Sequence, residues 1–443
     1  MRRAIARKRD GDELDAATWR GVVRAFLTGV IDDAQVAALL MASVVRGMTP
    51  GETYALTAAF LESGETLQAR DPRTVDKHSS GGVGDSVSLI VVPLVAACGV
   101  PVAKLSGRAL GHTGGTLNKL EAIPGVTTAL TPERFFACVE RTGCAIGAQN
   151  ERLVPADRRF YALRDRTATV PSRGLIAASI VSKKIAGGAH AIVFDVKVGN
   201  GAFVPDVAQG RALAETLVAL ARAFGRRARA IVTDMHEPLG PAIGTGLEAR
   251  EAREYLGGVR RDARLTAVCD ALGRAMLELA GYSGDAGDAL ATALESGRAY
   301  ETFERMLAYE GAVAGALESL AAHAVREPVY ARRSGYVVAM DTTALGEIAR
   351  ELVTRHGDAA GIVLARRGGD RVHAGDLLAT LFGDAAQVRE VTAAFVIGDR
   401  SPEQRPLVYC EIDTLTVAAD AGSSMAGAMR SAGADAPSTL EIK

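Results

Sequence analysis

Lys104-Leu105-Ser106-Gly107-Arg108-Ala109-Leu110-Gly111-His112-Thr113-Gly114-Gly115-Thr116-Leu117-Asn118-Lys119-Leu120-Glu121 joins a strand end, a long polar glycine loop and a helix start in one run. The strand begins at Pro101, and the helix begins near Thr116. Ser106 and Thr116 therefore set hydroxyl donors at a strand end and a helix start, where ligands sit in open α/β sheets. Upstream, Asp76-Lys77-His78-Ser79-Ser80-Gly81-Gly82-Val83-Gly84-Asp85-Ser86-Val87-Ser88 repeats the pattern. Its glycines let the backbone turn tightly and point N–H groups inward. The helix that follows, Val87 to Ala97, offers free N–H groups to an anion. With Lys77, Ser79 and Ser88 adding charge and hydroxyls, the segment reads as an oxyanion cradle, most simply for phosphate.

Further strands read at 191–196 and 230–233, with helical stretches between. Such alternation predicts an α/β domain with a mixed, mainly parallel sheet. The first 65 residues differ. Trp19, Val22, Val23 and Phe26 form one apolar helical stripe, Asp32 can cap a second helix, and Thr49-Pro50-Gly51-Glu52 has the form of a capping box. From Gly335 to about Thr416 short β-like runs return. Gly369 to Leu378 resembles a barrel-sandwich hairpin without its modified lysine, and reads as part of a structural β-rich domain. The fold class is thus α/β: a small helical domain, a larger α/β domain and a C-terminal α+β domain.

Another segment carries chemistry. Between Tyr161-Ala162-Leu163-Arg164 and Ser179-Ile180-Val181-Ser182-Lys183, Ser179 and Lys183 share a helix face, and Arg164 and Lys183 could address one planar polar group. Alone, this segment reads better as a solvated helix face with two surface cations.

Composition bounds the rest. The net charge of -1 over 443 residues, with cations spread through the chain, argues against a nucleic-acid coat. No apolar run reaches the roughly 18 residues of a membrane span, and no apolar core follows the basic start, so a cytoplasmic protein is expected. The five cysteines (Cys98, Cys138, Cys144, Cys269, Cys410) are scattered and form no CxxC, so they read as thiols in a reducing compartment.

Taken in order, these blocks resemble those of the thymidine and pyrimidine-nucleoside phosphorylase family. There, Ser-Gly-Arg precedes a Thr-Gly-Gly-Thr loop and Lys-Leu-Glu. Asp195 to Phe203, and Asp234-Met235 through Pro238-Leu239-Gly240, resemble further blocks, and the likeness covers about residues 10 to 390. The resemblance implies a helical domain of residues 1–68 with an insert at 155–187. It implies an α/β phosphate-binding domain of 69–154 and 188–328, and a C-terminal domain of 329–418; a flexible tail, 419–443, would follow. It implies a homodimer through the helical part and a nucleoside held in the cleft.

Carried over by position, the resemblance gives phosphate to Lys77, Ser79, Ser88, Lys104, Ser106 and Thr116. It gives the nucleoside to Tyr161, Arg164, Ser179 and Lys183, and assistance of the leaving base to His78, so that His78, Arg164 and Lys183 are the catalytic set. It implies inorganic phosphate as co-substrate, no organic cofactor, and a structural potassium ion on Gly84, Ser86, Leu239, Ala242 and Glu251. Lys104 is the residue that uridine-accepting members carry where deoxynucleoside-restricted members have an apolar one. The implied reaction is reversible phosphorolysis of uridine, thymidine and deoxyuridine. Asn118 stands where the family has Asp, Ala109 where it has Gly, and Arg173-Gly174 where it has an apolar residue and Pro. These departures leave base selectivity open. Two alternatives remain: a phosphorylase of nucleoside 5′-monophosphates, in which Arg173 meets the 5′-phosphate, and a phosphoribosyltransferase of similar architecture.

Overall fold

The computed structural model describes residues 1–107, 111, 112, 114–319 and 325–413. Arg108, Ala109, Leu110 and Thr113 of the second glycine loop, and the tail expected over 419–443, lie outside the described residues.

Four helices open the chain: α1 (Arg2–Asp10), α2 (Ala16–Leu27), α3 (Asp33–Arg46) and α4 (Pro50–Leu61). The stripe of Trp19, Val22, Val23 and Phe26 is buried as its spacing requires. Thr49 and Glu52 form the expected capping box, Glu52 N donating to Thr49 Oγ1 at 3.1 Å and Thr49 N to Glu52 Oε2 at 3.0 Å. The buried Glu52 also pairs with Lys8 at 2.5 Å, which fastens α1, a helix the sequence reading passed over. Two helices from the middle of the chain, α8 (Pro155–Arg166) and α9 (Arg173–Ala186), join this group, with α9 packed along α4.

The central sheet has the order β13-β5-β4-β1-β2-β3. Its strands are β1 (Val75–Ser79), β2 (Val102–Ser106), β3 (Cys144–Ala148), β4 (Ala191–Val198), β5 (Arg227–Asp234) and β13 (Val408–Ile412). All pairings are parallel except β13 against β5. Alternation on β4 sends Ala191 and Val193 into the core shared with α5 (Val87–Ala97) and α12 (Ala263–Leu279). Ile192, Phe194 and Val196 go into the core shared with α9 and α10 (Val207–Ala223). The remaining helices of this layer are α6 (Thr116–Glu121), α7 (Pro132–Thr142), α11 (Thr245–Leu256), α13 (Ala286–Glu295), α14 (Arg298–Tyr309) and α15 (Ala316–Ser319). The chain runs outward from β1 through β2 to β3, then returns to β4 on the other side of β1. The β1/β4 boundary is therefore the topological switch point, where a crevice opens beyond the strand ends.

A C-terminal unit contains β7 (Arg326–Tyr330), β8 (Gly335–Met340), β9 (Gly361–Leu364), β10 (Arg371–Val372), β11 (Leu377–Phe382), β12 (Phe395–Gly398), α16 (Thr342–His356) and α17 (Val388–Ala393). The two arms of the expected hairpin fall in different sheets, β10 beside β8 and β11 between β9 and β7. Two strands cross between the α/β domain and the C-terminal unit expected over 329–418. The two-residue β6 (Ala242–Ile243) pairs with β9 and belongs to this unit, while β13 returns to the central sheet. The physical reason is edge protection: β5 would otherwise present an open edge. Ile412 instead packs into the α10 core.

Candidate active site

A cleft of about 460 Å³ lies at the switch point. Its floor is the C-terminal end of β1 with His78 and Ser79, the glycine turn that follows, and Lys104 and Ser106 of β2. Gly114, Gly115 and Thr116 lead into α6. Facing them, α9 presents Ile176, Ser179, Ile180 and Lys183, the i, i+3, i+4, i+7 set of one helical face, and α8 presents Asp157, Tyr161 and Arg164. Phe203, from the loop after β4, forms a third wall. The His112 ring sits 5.4 Å from that of Phe203, and its Nε2 lies 3.1 Å from the Gly201 carbonyl oxygen, so two of the loops are joined.

The expected phosphate residues divide in two. Ser79, Lys104, Ser106 and Thr116 line the cleft; Lys77 and Ser88 do not. Lys77 and His78 are neighbours on a strand and point to opposite faces. The fully buried Lys77 ammonium lies 2.9 Å from Asp195 Oδ2 and donates to Ser88 Oγ at 3.5 Å, beneath the floor. Lys197 shares Asp195 at 3.0 Å. Ser79 Oγ donates to Asp85 Oδ2 at 3.0 Å. Burial would raise the Asp85 carboxyl, but Lys197, Lys77 and Lys119 outweigh it and hold it well below the usual carboxylate range.

Cations crowd the floor. Lys104 Nζ donates to the Lys77 carbonyl at 2.6 Å. Lys184, which sequence reasoning missed, donates to Asp76 Oδ2 at 2.8 Å and to the Leu105 carbonyl at 2.6 Å. The adjacent Lys183-Lys184 pair was the available signal, since consecutive helical residues cannot share a face. Burial, then Lys184, drives the Lys104 ammonium far below the lysine range. Burial, then Lys184, Lys104, Lys183 and Lys77, does the same to the imidazolium of His78. Such perturbation by burial and like charge marks a site prepared for an anion.

On the opposite wall, Arg164 is held by three backbone carbonyls, those of Thr169, Val170 and Leu175, at 3.3, 2.8 and 3.1 Å. Its guanidinium thus fastens the block that departs from the family pattern. Lys183 Nζ donates to Ser179 Oγ at 2.9 Å, lies 2.8 Å from Asp157 Oδ2 and sits 5.2 Å from the centre of the Tyr161 ring. Arg173 is exposed and does not line the cleft. Gly174 has a packing reason, because a Cβ there would meet Met48 Cβ at 2.8 Å and Thr53 Oγ1 at 2.9 Å where α9 crosses α4. Asn118 lies in α6, away from the cleft lining; Ala109 is outside the described residues.

The five residues of the implied cation site gather at one place. Gly84 has φ +60°, and a Cβ there would lie 2.9 Å from the Gly240 carbonyl oxygen and 3.1 Å from that of Ala242. Glu251 accepts from Ser86 Oγ at 2.6 Å and from Ala242 N at 3.1 Å. Burial pushes its carboxyl up to about 8. The Leu239 carbonyl accepts from Arg367 at 3.0 Å. A half-buried carboxyl on Glu251, with the Gly240 and Ala242 carbonyl oxygens packed against Gly84, is a donor set that fits a hard cation.

Comparison with known proteins agrees with this architecture. Residues 2–64 match the helical bundle domain, and residues 71–300 the a/b domain, of a glycosyl transferase family. The chain is 43% identical to a thymidine phosphorylase of Sinorhizobium medicae (strain WSM419), over 91% of this chain and 97% of the relative. It is 40% identical to a pyrimidine-nucleoside phosphorylase of Geobacillus stearothermophilus, over 92% of this chain and 98% of the relative. Anthranilate phosphoribosyltransferase from Thermus thermophilus shares the fold, with a TM-score of 0.56 at 23% identity, covering 69% of this chain and 99% of that one. On this fold and these relatives, the chain belongs to the thymidine and pyrimidine-nucleoside phosphorylase family of pentosyltransferases.

Proposed function

We propose that the protein catalyses reversible phosphorolysis of pyrimidine nucleosides, giving the free base and ribose or deoxyribose 1-phosphate. One observation carries this reading. A single cleft faces Ser79, Lys104, Ser106 and Thr116 with Ser179, Lys183 and Arg164, an arrangement able to hold an anionic nucleophile and a planar polar leaving group on opposite sides of a pentose.

Phosphate attacks C1′ from the face opposite the base. The C1′–O bond forms as the C1′–N1 bond breaks, and the bonding electrons pass to the base. Negative charge then spreads onto the base carbonyls. A cation placed where such charge develops is worth roughly 3–4 kcal/mol, and Lys183 and Arg164 supply it. Since its surroundings keep His78 neutral, it serves as an N–H donor to the base and not as an imidazolium acid. The departing anion takes its proton from solvent on release. Closure of the helical wall over the sheet keeps water from competing with phosphate.

Lys104 makes the ribose 2′-hydroxyl acceptable, so uridine is cleaved as well as thymidine and deoxyuridine. Lys77 and Ser88 support the cradle from beneath, or reach phosphate only after rearrangement. Inorganic phosphate is the co-substrate, and no organic cofactor takes part. A potassium ion at Gly84, Ser86, Leu239, Ala242 and Glu251 would neutralise the Glu251 carboxylate and brace the turn after β1. The protein works in the cytoplasm on small molecules as a homodimer. Its five cysteines are all free, and among the described residues no helix is long and apolar enough to cross a membrane. The helical unit exposes Val30, Met41 and Val45 at 77, 42 and 72%; Met41 and Val45 lie one turn apart on α3 and share a face suited to a second copy. Nothing favours the 5′-monophosphate alternative, because Arg173 lies off the cleft. The acids lining the cleft, Asp85 and Asp157, are each occupied by lysines, which does not favour a magnesium–pyrophosphate chemistry.

Lys183→Ala tests the assignment. Thymidine kcat/KM should fall about 100- to 1,000-fold while the circular dichroism spectrum remains that of the folded protein. Full activity in this variant would remove the base-site reading.

A further inference from the structure

Asp157 occupies the first turn of α8, one turn before Tyr161, and lines the cleft although it is completely buried. Its Oδ2 lies 2.8 Å from Lys183 Nζ. Among the described residues neither of its carboxylate oxygens accepts a well-aligned hydrogen bond. It does not cap its own helix, since α8 has no side-chain cap bond. A buried carboxylate short of donors is unfavourable, and here it makes its ion pair with the cation that faces the base, with Arg164 also in its field.

Lys183 needs such a partner. Its ammonium is a compact charge on a flexible four-carbon stem with three donors. One donor reaches Ser179 Oγ at 2.9 Å, and the ammonium also faces Asp157 at 2.8 Å. With both contacts made, one N–H remains for a base carbonyl. We propose that Asp157 is a positioning residue for base departure: it clamps the Lys183 ammonium against Ser179 and the Tyr161 ring so that the remaining donor is already aimed where negative charge develops. Preorganised donors of this kind need no reorientation during the reaction. The proposal rests on the reading of Lys183 as the base-side cation and adds the residue that aims it.

The test uses the dependence on leaving group. Fluorine at C5 withdraws electrons and stabilises the departing base anion, which makes the cation less necessary. Asp157→Asn keeps the shape and removes the charge. Its kcat/KM for thymidine should fall about 10- to 100-fold, by analogy with the loss of a hydrogen-bonding partner that orients a metal ligand. The fall should be several-fold smaller for 5-fluoro-2′-deoxyuridine. Lys183→Met should show the same substrate ordering, and the double variant should lose little beyond Lys183→Met alone. If Asp157→Asn melts early, Asp157→Glu retains the charge but displaces the ammonium by one methylene, and it should show the same ordering. Equal losses on both substrates, wild-type rates in the Asp157 variants, or fully multiplicative losses in the double variant would each overturn the clamp. Wild-type rates in Lys183→Met would remove the base-site reading and the clamp together. An impaired Lys183→Met beside an unimpaired Asp157→Asn would remove the clamp alone.

Discussion

Lys104 and His78 show how a residue's role depends on the charges around it. Burial and Lys184 drive the Lys104 ammonium far below its usual range; a phosphate dianion beside it supplies the opposite charge that offsets them. A ribose 2′-hydroxyl entering there must recover the hydrogen bonds it loses from water, and leaving it unpaired costs about 1–3 kcal/mol. Lys104→Met should therefore reduce kcat/KM for uridine roughly tenfold more than for thymidine, a gap of about 1.4 kcal/mol within that range. Equal losses on the two substrates would leave Lys104 as a phosphate ligand only. His78 carries a lowered pKa, so its ring is already neutral at pH 7 and stays neutral as the pH falls through the ordinary histidine range. His78→Gln, which keeps an N–H donor, should retain several-fold more kcat/KM than His78→Ala, in the manner of a hydrogen bond worth about 1 kcal/mol. A Gln variant as poor as the Ala variant would mean that the imidazole transfers a proton. The opposed directions of Lys77 and His78 went unread in the sequence, where both were given to the cleft, although adjacent residues of a strand must diverge. The partner of Lys77 was not legible, since Asp195 lies on another strand, more than a hundred residues away.

Elements set by local chemistry were the easiest to read. The capping box at Thr49 and Glu52 and the buried stripe on α2 follow from spacing and caps within a few residues. Contacts between elements left no such trace. Gly174 stood out in the sequence as a departure from the family pattern, and only the crossing of α9 over α4 explains it. Glu310, at the end of α14, is another case. It is fully buried, its Oε1 accepts from Ile146 N of the edge strand β3 at 3.1 Å, and burial pushes its carboxyl up to about 8. Below about pH 4.5 the group is protonated in both folded and unfolded chains. Between there and about pH 8 the unfolded chain gives up the proton and the folded one keeps it, so stability is lost as pH rises; above that range the loss is complete. Glu310→Gln should remove this slope. Melting at pH 5 and pH 8.5 should show the variant gaining on wild type by an amount on the order of a few kcal/mol at the higher pH. A constant difference across the range would show that Glu310 titrates normally.

At the scale of the whole molecule, the chain crosses between units more often than its order suggests. The helical wall borrows α8 and α9 from between β3 and β4, β6 goes to the C-terminal unit, and β13 comes back to the central sheet. The helical insert was legible through the family resemblance, whereas the exchange of β6 and β13 depends on pairing distant edges and has no local signal. The exposed Val30, Met41 and Val45 lead to a further expectation. Wild type should run as a dimer by light scattering, and a Met41→Glu/Val45→Glu variant should run as a monomer, because two carboxylates cannot be desolvated there without partners. A monomeric wild type would contradict the homodimer. The central claim concerns the nucleophile. Uridine or thymidine is incubated with the protein in phosphate-free buffer, inorganic phosphate is then added, and base and sugar are followed by proton and phosphorus NMR. The account predicts no base release before the addition, and afterwards one pentose 1-phosphate for each base freed, inverted at C1′. Equal release of base and free pentose without phosphate would contradict it.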